Sequence, residues 1–394
     1  MRTSTRRTIL WALALVVALS LAGIAFVRGE EGDTAAPLTP AAPGPTVPER
    51  PGTGCGDDAV TDPGDLRADR VVARCGEGAP VASPLPTAAT LRVAVPDRDV
   101  SAAPLLAAQA LDEFAAENLT VEVVDMPEAD AYAAMGRGEI DVVVGGIDAA
   151  FFDAARRGTG PRLVLGGTLS RRPGDTEVAQ AGLWARADLW DEPDDWRPVE
   201  GHALAVSGGL GSASLYPVGL ILDQEELDLN ALDTVPAPSS DAARRLRDGE
   251  VALAWLSEPA AAAVAGDDAF KLVATLPASE SIDGTVFAPR LLGPDRAVGL
   301  AYVRAVVRTI NTHLADGYGD DAVEPLAEAT GRPADELTAG PPPLFDWELR
   351  TGTTGRIQES LALVGSIGYE VPVEESLLVD RSLYGEAVAA QDQG

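Results

Sequence analysis

The strongest constraint in this chain is an internal repeat with a spacing of 111 residues. Val93-Ala94-Val95 is answered by Leu204-Ala205-Val206, Leu111-Asp112 by Leu222-Asp223, and Pro127 by Pro238. Asp130-Ala131 recurs as Asp241-Ala242, and Gly138-Glu139-Ile140 as Gly249-Glu250-Val251. Such a period is far longer than a solenoid unit, so the copies read as two lobes on one supersecondary plan. Short apolar runs alternate with amphipathic stretches, the pattern of an α/β fold with mainly parallel sheets. In the first copy the expected strands are LRVAV (91–95), TVEVV (120–124) and IDVVV (140–144), with helices over 102–117 and 129–137. The second copy runs from HALAV (202–206) to VALAW (251–255). Ligands of parallel α/β sheets gather beyond the carboxyl ends of the strands. Two facing lobes would therefore bring four post-strand loops to one cleft.

Ahead of the repeat, Ile9 to Val27 runs nineteen positions without a charge, behind Arg2, Arg6 and Arg7. A helix of that length reaches across the ~30 Å hydrocarbon core, with its basic flank on the cytoplasmic side. Residues 1–28 read as a signal anchor or a cleaved signal peptide. Either places the rest of the chain on the outer face of the cytoplasmic membrane or in the medium. Residues 29–52 form a Pro/Ala-rich tether, and 53–86 a lead-in holding both cysteines, Cys55 and Cys75. In an oxidising compartment these two are expected to pair, closing a loop worth ~3 kcal/mol by chain entropy.

Composition removes several classes of function. The 394 residues carry 30 basic and 61 acidic side chains, a net charge of −31, with no basic stripe for a nucleic-acid partner. Two cysteines and two histidines, His202 and His313, exclude a cysteine-rich zinc site and a multi-histidine metal centre. Lys271 is the single lysine, hence the one candidate for Schiff-base chemistry. No catalytic residue, metal or cofactor is expected.

Ser101-x-x-Pro104 and Ser214-x-x-Pro217 each place a serine at a helix start with a proline inside the first turn. Helix amino termini offer unsatisfied N–H groups to an anion or a carbonyl. The glycine-rich run 207–214 either cradles such a group or simply lets a strand meet a helix. It lacks the G-K-[ST] signature of a nucleotide loop, and Ser212 lacks a G-x-S-x-G elbow. Trp255 either stacks on a flat solute or fills the end of a strand. Arg98 and Arg290 are candidate counter-ions. Asp148 and Glu258 occupy corresponding loops, where each receives an amino-bearing ligand or, for Asp148, caps the next helix.

These blocks together resemble a family: the solute-binding proteins of ABC importers of the nitrate/sulfonate/taurine, or NMT1/THI5-like, group. The resemblance spans about 88 to 388 and rests on the order of LRVAVPD, MGRGEIDVVVGGIDAAFF, LAVSGGLGSASLY, RLRDGEVALAWLSEPAAAA and RIQESLALVGSIGYE. It implies a two-lobed periplasmic-binding-protein type II fold with a hinge and C-terminal helices. Lobe 1 would be 87–185 and 284–394, and lobe 2 would be 186–283. By the same resemblance the ligand-facing residues are Asp97, Arg98, Ser101, Gly146, Ile147, Asp148, Gly211, Ser212, Ser214, Trp255 and Glu258. Relatives often carry Lys-Gly-Ser-Ser and Trp-Asp-Pro or Trp-Glu-Pro. This chain has Leu210-Gly211-Ser212-Ala213-Ser214 and Ser257-Glu258-Pro259 in their places. The implied function is capture of a sulfonate- or nitrate-like anion, or a pyrimidine-like heterocycle, by a monomer that delivers it to an ABC permease. A membrane-anchored sensor acting through a partner protein is the alternative, with an enzyme on the same fold less favoured.

Overall fold

The computed structural model describes residues 55–389 except 56–58, 68, 77, 97, 158–159, 170–180, 190–200, 225–231, 259, 276–279, 339–342 and 370. One sheet has the order β2-β1-β3-β11-β4. Its strands are β1 (Ala89–Val95), β2 (Leu119–Asp125), β3 (Val142–Gly146), β4 (Arg162–Leu165) and β11 (Asp283–Phe287). A second sheet has the order β10-β6-β9-β7-β8. It holds β6 (Gly182–Arg186), β7 (Ala203–Val206), β8 (Asp233–Pro236), β9 (Leu253–Leu256) and β10 (Phe270–Thr275). A two-stranded sheet joins β5 (Thr168–Leu169) to β12 (Leu344–Phe345).

The helices of the first copy are α1 (Ala103–Ala110), α2 (Glu128–Gly136) and α3 (Ala149–Ala155). Those of the second are α4 (Leu215–Gln224), α5 (Ser239–Arg247) and α6 (Ala260–Val264). After β11 come α7 (Pro289–Leu292), α8 (Arg296–His313), α9 (Asp320–Thr330), α10 (Ala334–Leu337), α11 (Thr353–Leu363), α12 (Glu375–Leu378) and α13 (Ser382–Ala389).

The repeat is a repeat of strand register. Val93 pairs in parallel with Val123 and Val142. The residues 111 positions on, Leu204 with Thr234 and Leu253, pair in the same way. Helices α2 and α5, and α3 and α6, also begin 111 positions apart. Beside each parallel trio lies an antiparallel strand, β11 against β3 and β6 against β9. The central strands are buried on both faces, which is why they read as unbroken apolar runs.

Two expectations need correction. Gly182–Ala185, placed at the end of lobe 1, form one strand with Arg186 that pairs with β9 and β10 in the second sheet. The chain thus passes to the second sheet between Leu169 and Gly182, and returns between Thr275 and Asp283. The helix expected over 102–117 ends at Ala110, because Asp112 takes a left-handed conformation (φ 60°), which an α-helix of L-residues does not continue through.

The lead-in is part of the first half's core. Cys55 and Cys75 form a disulfide across a separation of 20 residues, and both are buried. Along α8, the Cys75 N–H donates to Asn311 Oδ1 (2.9 Å), Arg308 to Pro80 O (3.2 Å) and Arg304 to Ser83 O (2.9 Å). Arg70 reaches Asp346 at 2.6 Å, with both side chains 1% exposed. Reducing the disulfide is expected to cost about 3 kcal/mol from the loop released in the unfolded chain. Denaturant unfolding with and without reductant checks this, and a midpoint indifferent to reductant would contradict it. No helix among the described residues is long and apolar enough to cross a membrane; the Ile9–Val27 run and the 29–52 tether lie outside them.

Candidate functional site

The carboxyl ends of β1, β3, β7 and β9 lead into four loops, and two of these meet. Asp148 follows β3 at the start of α3, with its backbone oxygen accepting from Phe151 N (3.0 Å). Its side chain does not cap α3. It crosses to the other half, where Oδ1 accepts the Ala213 N–H at 2.6 Å, just ahead of α4. Two glycines permit this approach. A Cβ on Gly146 would fall 2.6 Å from Asp148 Oδ1, and one on Gly208 3.2 Å from Oδ2. Gly211 faces Ala149 across the same junction. Ala213 and Tyr216 from the second half pack within the first half's hydrophobic cluster, so the start of α4 is seated in it.

Glu128, the half-buried first residue of α2, stands against this contact. Its carboxyl accepts the Gly146 N–H and is hydrogen-bonded to Asp148. Burial, then the neighbouring Asp148, pushes Glu128 well above the usual carboxylate range. Asp148 is also raised by burial, but bonds from Glu128 and Ala213 oppose that rise. The second half repeats the anchoring in miniature. Ser239, 111 positions after Glu128, accepts the Ser257 N–H at 3.1 Å.

Acidic groups dominate the rest of the loop ends. Asp99 Oδ1 accepts both the N–H and the hydroxyl of Ser101, at 2.9 and 2.6 Å. The cap of the short 3₁₀ turn before α1 is therefore Asp99 rather than Ser101. Asp283, where the chain re-enters the first sheet, accepts from Thr168 N (2.6 Å) and Ser281 Oγ (2.8 Å). Burial pushes its carboxyl up to about 6, with Asp99 adding to the rise. Glu258, after β9, accepts the Ala262 N–H at 3.1 Å through Oε2. Its Oε1 is buried with no hydrogen-bond partner among the described residues, and burial pushes the carboxyl up to about 7. Glu258 of the second half meets Asp99, Arg98, Tyr318 and Arg332 around an open cleft.

The other expected residues divide. Ser212 is buried, and its hydroxyl accepts the Ser214 N–H (3.1 Å), so both serines shape the start of α4. The buried Ile147 donates its N–H to Ile282 O (2.8 Å). Arg98 lines the cleft, but its guanidinium is engaged by Asp125 (2.7 Å) and by Ala329 O (2.8 Å). Arg290 likewise pairs with Asp141 (2.8 Å) and Asp295 (2.5 Å). Trp255 packs in the second sheet's core with Leu183, Leu204 and Leu253 and offers no stacking face. Asp97 and Pro259 lie outside the described residues.

Sequence reasoning passed over Asp99 and Glu128, although Glu128 is the repeat counterpart of Ser239, a register that marked it out. It also passed over Tyr216, Glu280 and Arg356. Arg356 pairs with the buried Glu280, and Tyr216, lying against both, is pushed up to about 12, mainly by burial. This cluster joins α4, the return crossing and α11.

No protein-family model and no curated protein matches the chain by sequence. Solved structures do match by shape. The periplasmic nitrate-binding protein NrtA from Synechocystis superposes with a TM-score of 0.57 at 13% identity, covering 80% of this chain and 91% of that one. The periplasmic aliphatic sulphonate binding protein SsuA from Escherichia coli gives 0.51 at 15%, covering 74% and 92%. A ligand-binding component of an ABC-type import system from Staphylococcus aureus, with zinc bound, gives 0.57 at 14%, covering 76% and 98%. The fold is that of a periplasmic binding protein. In this chain the loop ends brought together are lined by carboxylates.

Proposed function

We propose that this protein captures a small solute outside the cytoplasm, between its two halves, and hands it to an ABC permease. The observation that carries this reading is the repeated register, which directs Asp148 and the start of α4 at each other where the two halves meet. The fold shared with nitrate-, sulphonate- and other import-linked binding proteins supports it. The chain acts as a binding protein rather than an enzyme, tethered to the outer face of the membrane by its N-terminal apolar run or secreted. The solutes considered are a sulfonate- or nitrate-like anion and a pyrimidine-like heterocycle. Closure is driven by whatever differential affinity the solute has for the shut state.

The test is to heat-denature the purified chain, identify released small molecules by mass spectrometry, and return each by calorimetry. One solute is expected to rebind at a single site. If nothing is released, and a metabolite and ion screen finds no binder at millimolar concentration, the reading is wrong.

A further inference from the structure

The amino end of α4, at the junction of the two halves, is suited to an anion, and every backbone N–H there is taken. Tyr216 N donates to Ala213 O (3.0 Å), Leu215 N to Ser212 O (3.1 Å) and Ser214 N to Ser212 Oγ (3.1 Å). The remaining donor, Ala213 N, is held by Asp148 of the opposite half at 2.6 Å. This carboxylate sits in a built cradle. It is 9% exposed, with Gly146 and Gly208 lacking the side chains that would collide with its oxygens. Glu128 is hydrogen-bonded to it. Asp148 therefore has the surroundings of a bound anion while being part of the chain.

We infer that Asp148 is a specificity-determining residue: a tethered anion that fills the start of α4 and closes the cleft to anionic solutes. The inference rests on the solute-capture reading and names the class of solute that it excludes. A free sulfonate or nitrate must displace a carboxylate that is effectively at high local concentration, or lie beside it as a like charge. Of the two arginines that line the cleft, Arg98 is committed to Asp125 and Ala329 O, which leaves Arg332 as the counter-charge to Asp99 and Glu258. Asp99 and Glu258 also border the cleft. The solute admitted is then a neutral or cationic molecule that brings hydrogen-bond donors to acceptors such as Glu258 Oε1.

The test uses methanesulfonate and nitrate as probes, titrated calorimetrically at neutral pH into the wild type, Asp148→Asn and Asp148→Gly. Asparagine keeps the shape and removes the charge, whereas glycine vacates the cradle; thermal melts confirm folding. The wild type is expected to bind neither probe at millimolar concentration, and a folded variant to gain affinity by about 100-fold or more. Sub-millimolar binding of either probe by the wild type would overturn the inference, as would folded variants that gain nothing. Neither result touches the solute-capture reading, which fails only when no solute of any charge is found.

Discussion

Glu117→Ala is expected to destabilise the protein by about 3–5 kcal/mol, the usual cost of removing one partner from a buried ion cluster. Glu117 is fully buried after α1, where it accepts from Arg304 Nε (3.0 Å) and Arg308 Nη1 (2.8 Å) and from the Ser83 N–H (3.2 Å). Alanine leaves two guanidinium groups of α8 in the interior, with only Glu113 still beside Arg308. The same arginines hold Pro80 and Ser83, so the loss spreads into the lead-in. Urea unfolding of wild type and variant measures it. A difference within about 1 kcal/mol would show that solvent or rearrangement replaces the carboxylate.

The second large effect is on stability against pH. Glu258 and Asp283 have carboxyls raised by burial to about 7 and about 6. Their ordinary values are 4.5 and 3.8, so between those limits the folded chain holds protons that the unfolded chain has lost. Such groups stabilise the fold fully below their unfolded pKa, and that contribution is lost as pH rises through the folded pKa. Stability should therefore fall from about pH 4 to 8, by roughly 2–3 kcal/mol for each group. Glu258→Gln and Asp283→Asn should each flatten part of that slope. Thermal melts across this range decide it. A wild-type stability that rises toward pH 8, or variants with the parental slope, would mean that these carboxyls are ionised and compensated in the fold.

Local and periodic features were legible in the sequence. Apolar runs bounded by Pro, Gly and Asp located parallel strands in both halves, and the 111-residue spacing of the sequence repeat is also the spacing of their pairing register. Gly182–Ala185 were assigned to the other lobe because an antiparallel strand joining the opposite sheet leaves no mark in sequence order. At Asp99 and Ser101 two good capping residues compete two positions apart. The carboxylate prevails by accepting two hydrogen bonds at once, a choice that residue type alone left open. Trp255 illustrates the same limit: the end of a strand admits either a core or a cleft side chain, and Leu183 and Leu204 settle it only in three dimensions. Asp148 is the clearest case. Its position before α3 offered a helix cap or a ligand contact, while its actual partner lies 65 residues away in the other half.

The most direct measurement of the central claim is a crystal structure of the protein carrying the solute recovered from it. The account places that solute between the halves, touching at least one residue of the Asp99 and Asp148 loops and one of the Ser212 and Glu258 loops. Solute density confined to one half, or on an outer face away from the junction of Asp148 and Ala213, would contradict it.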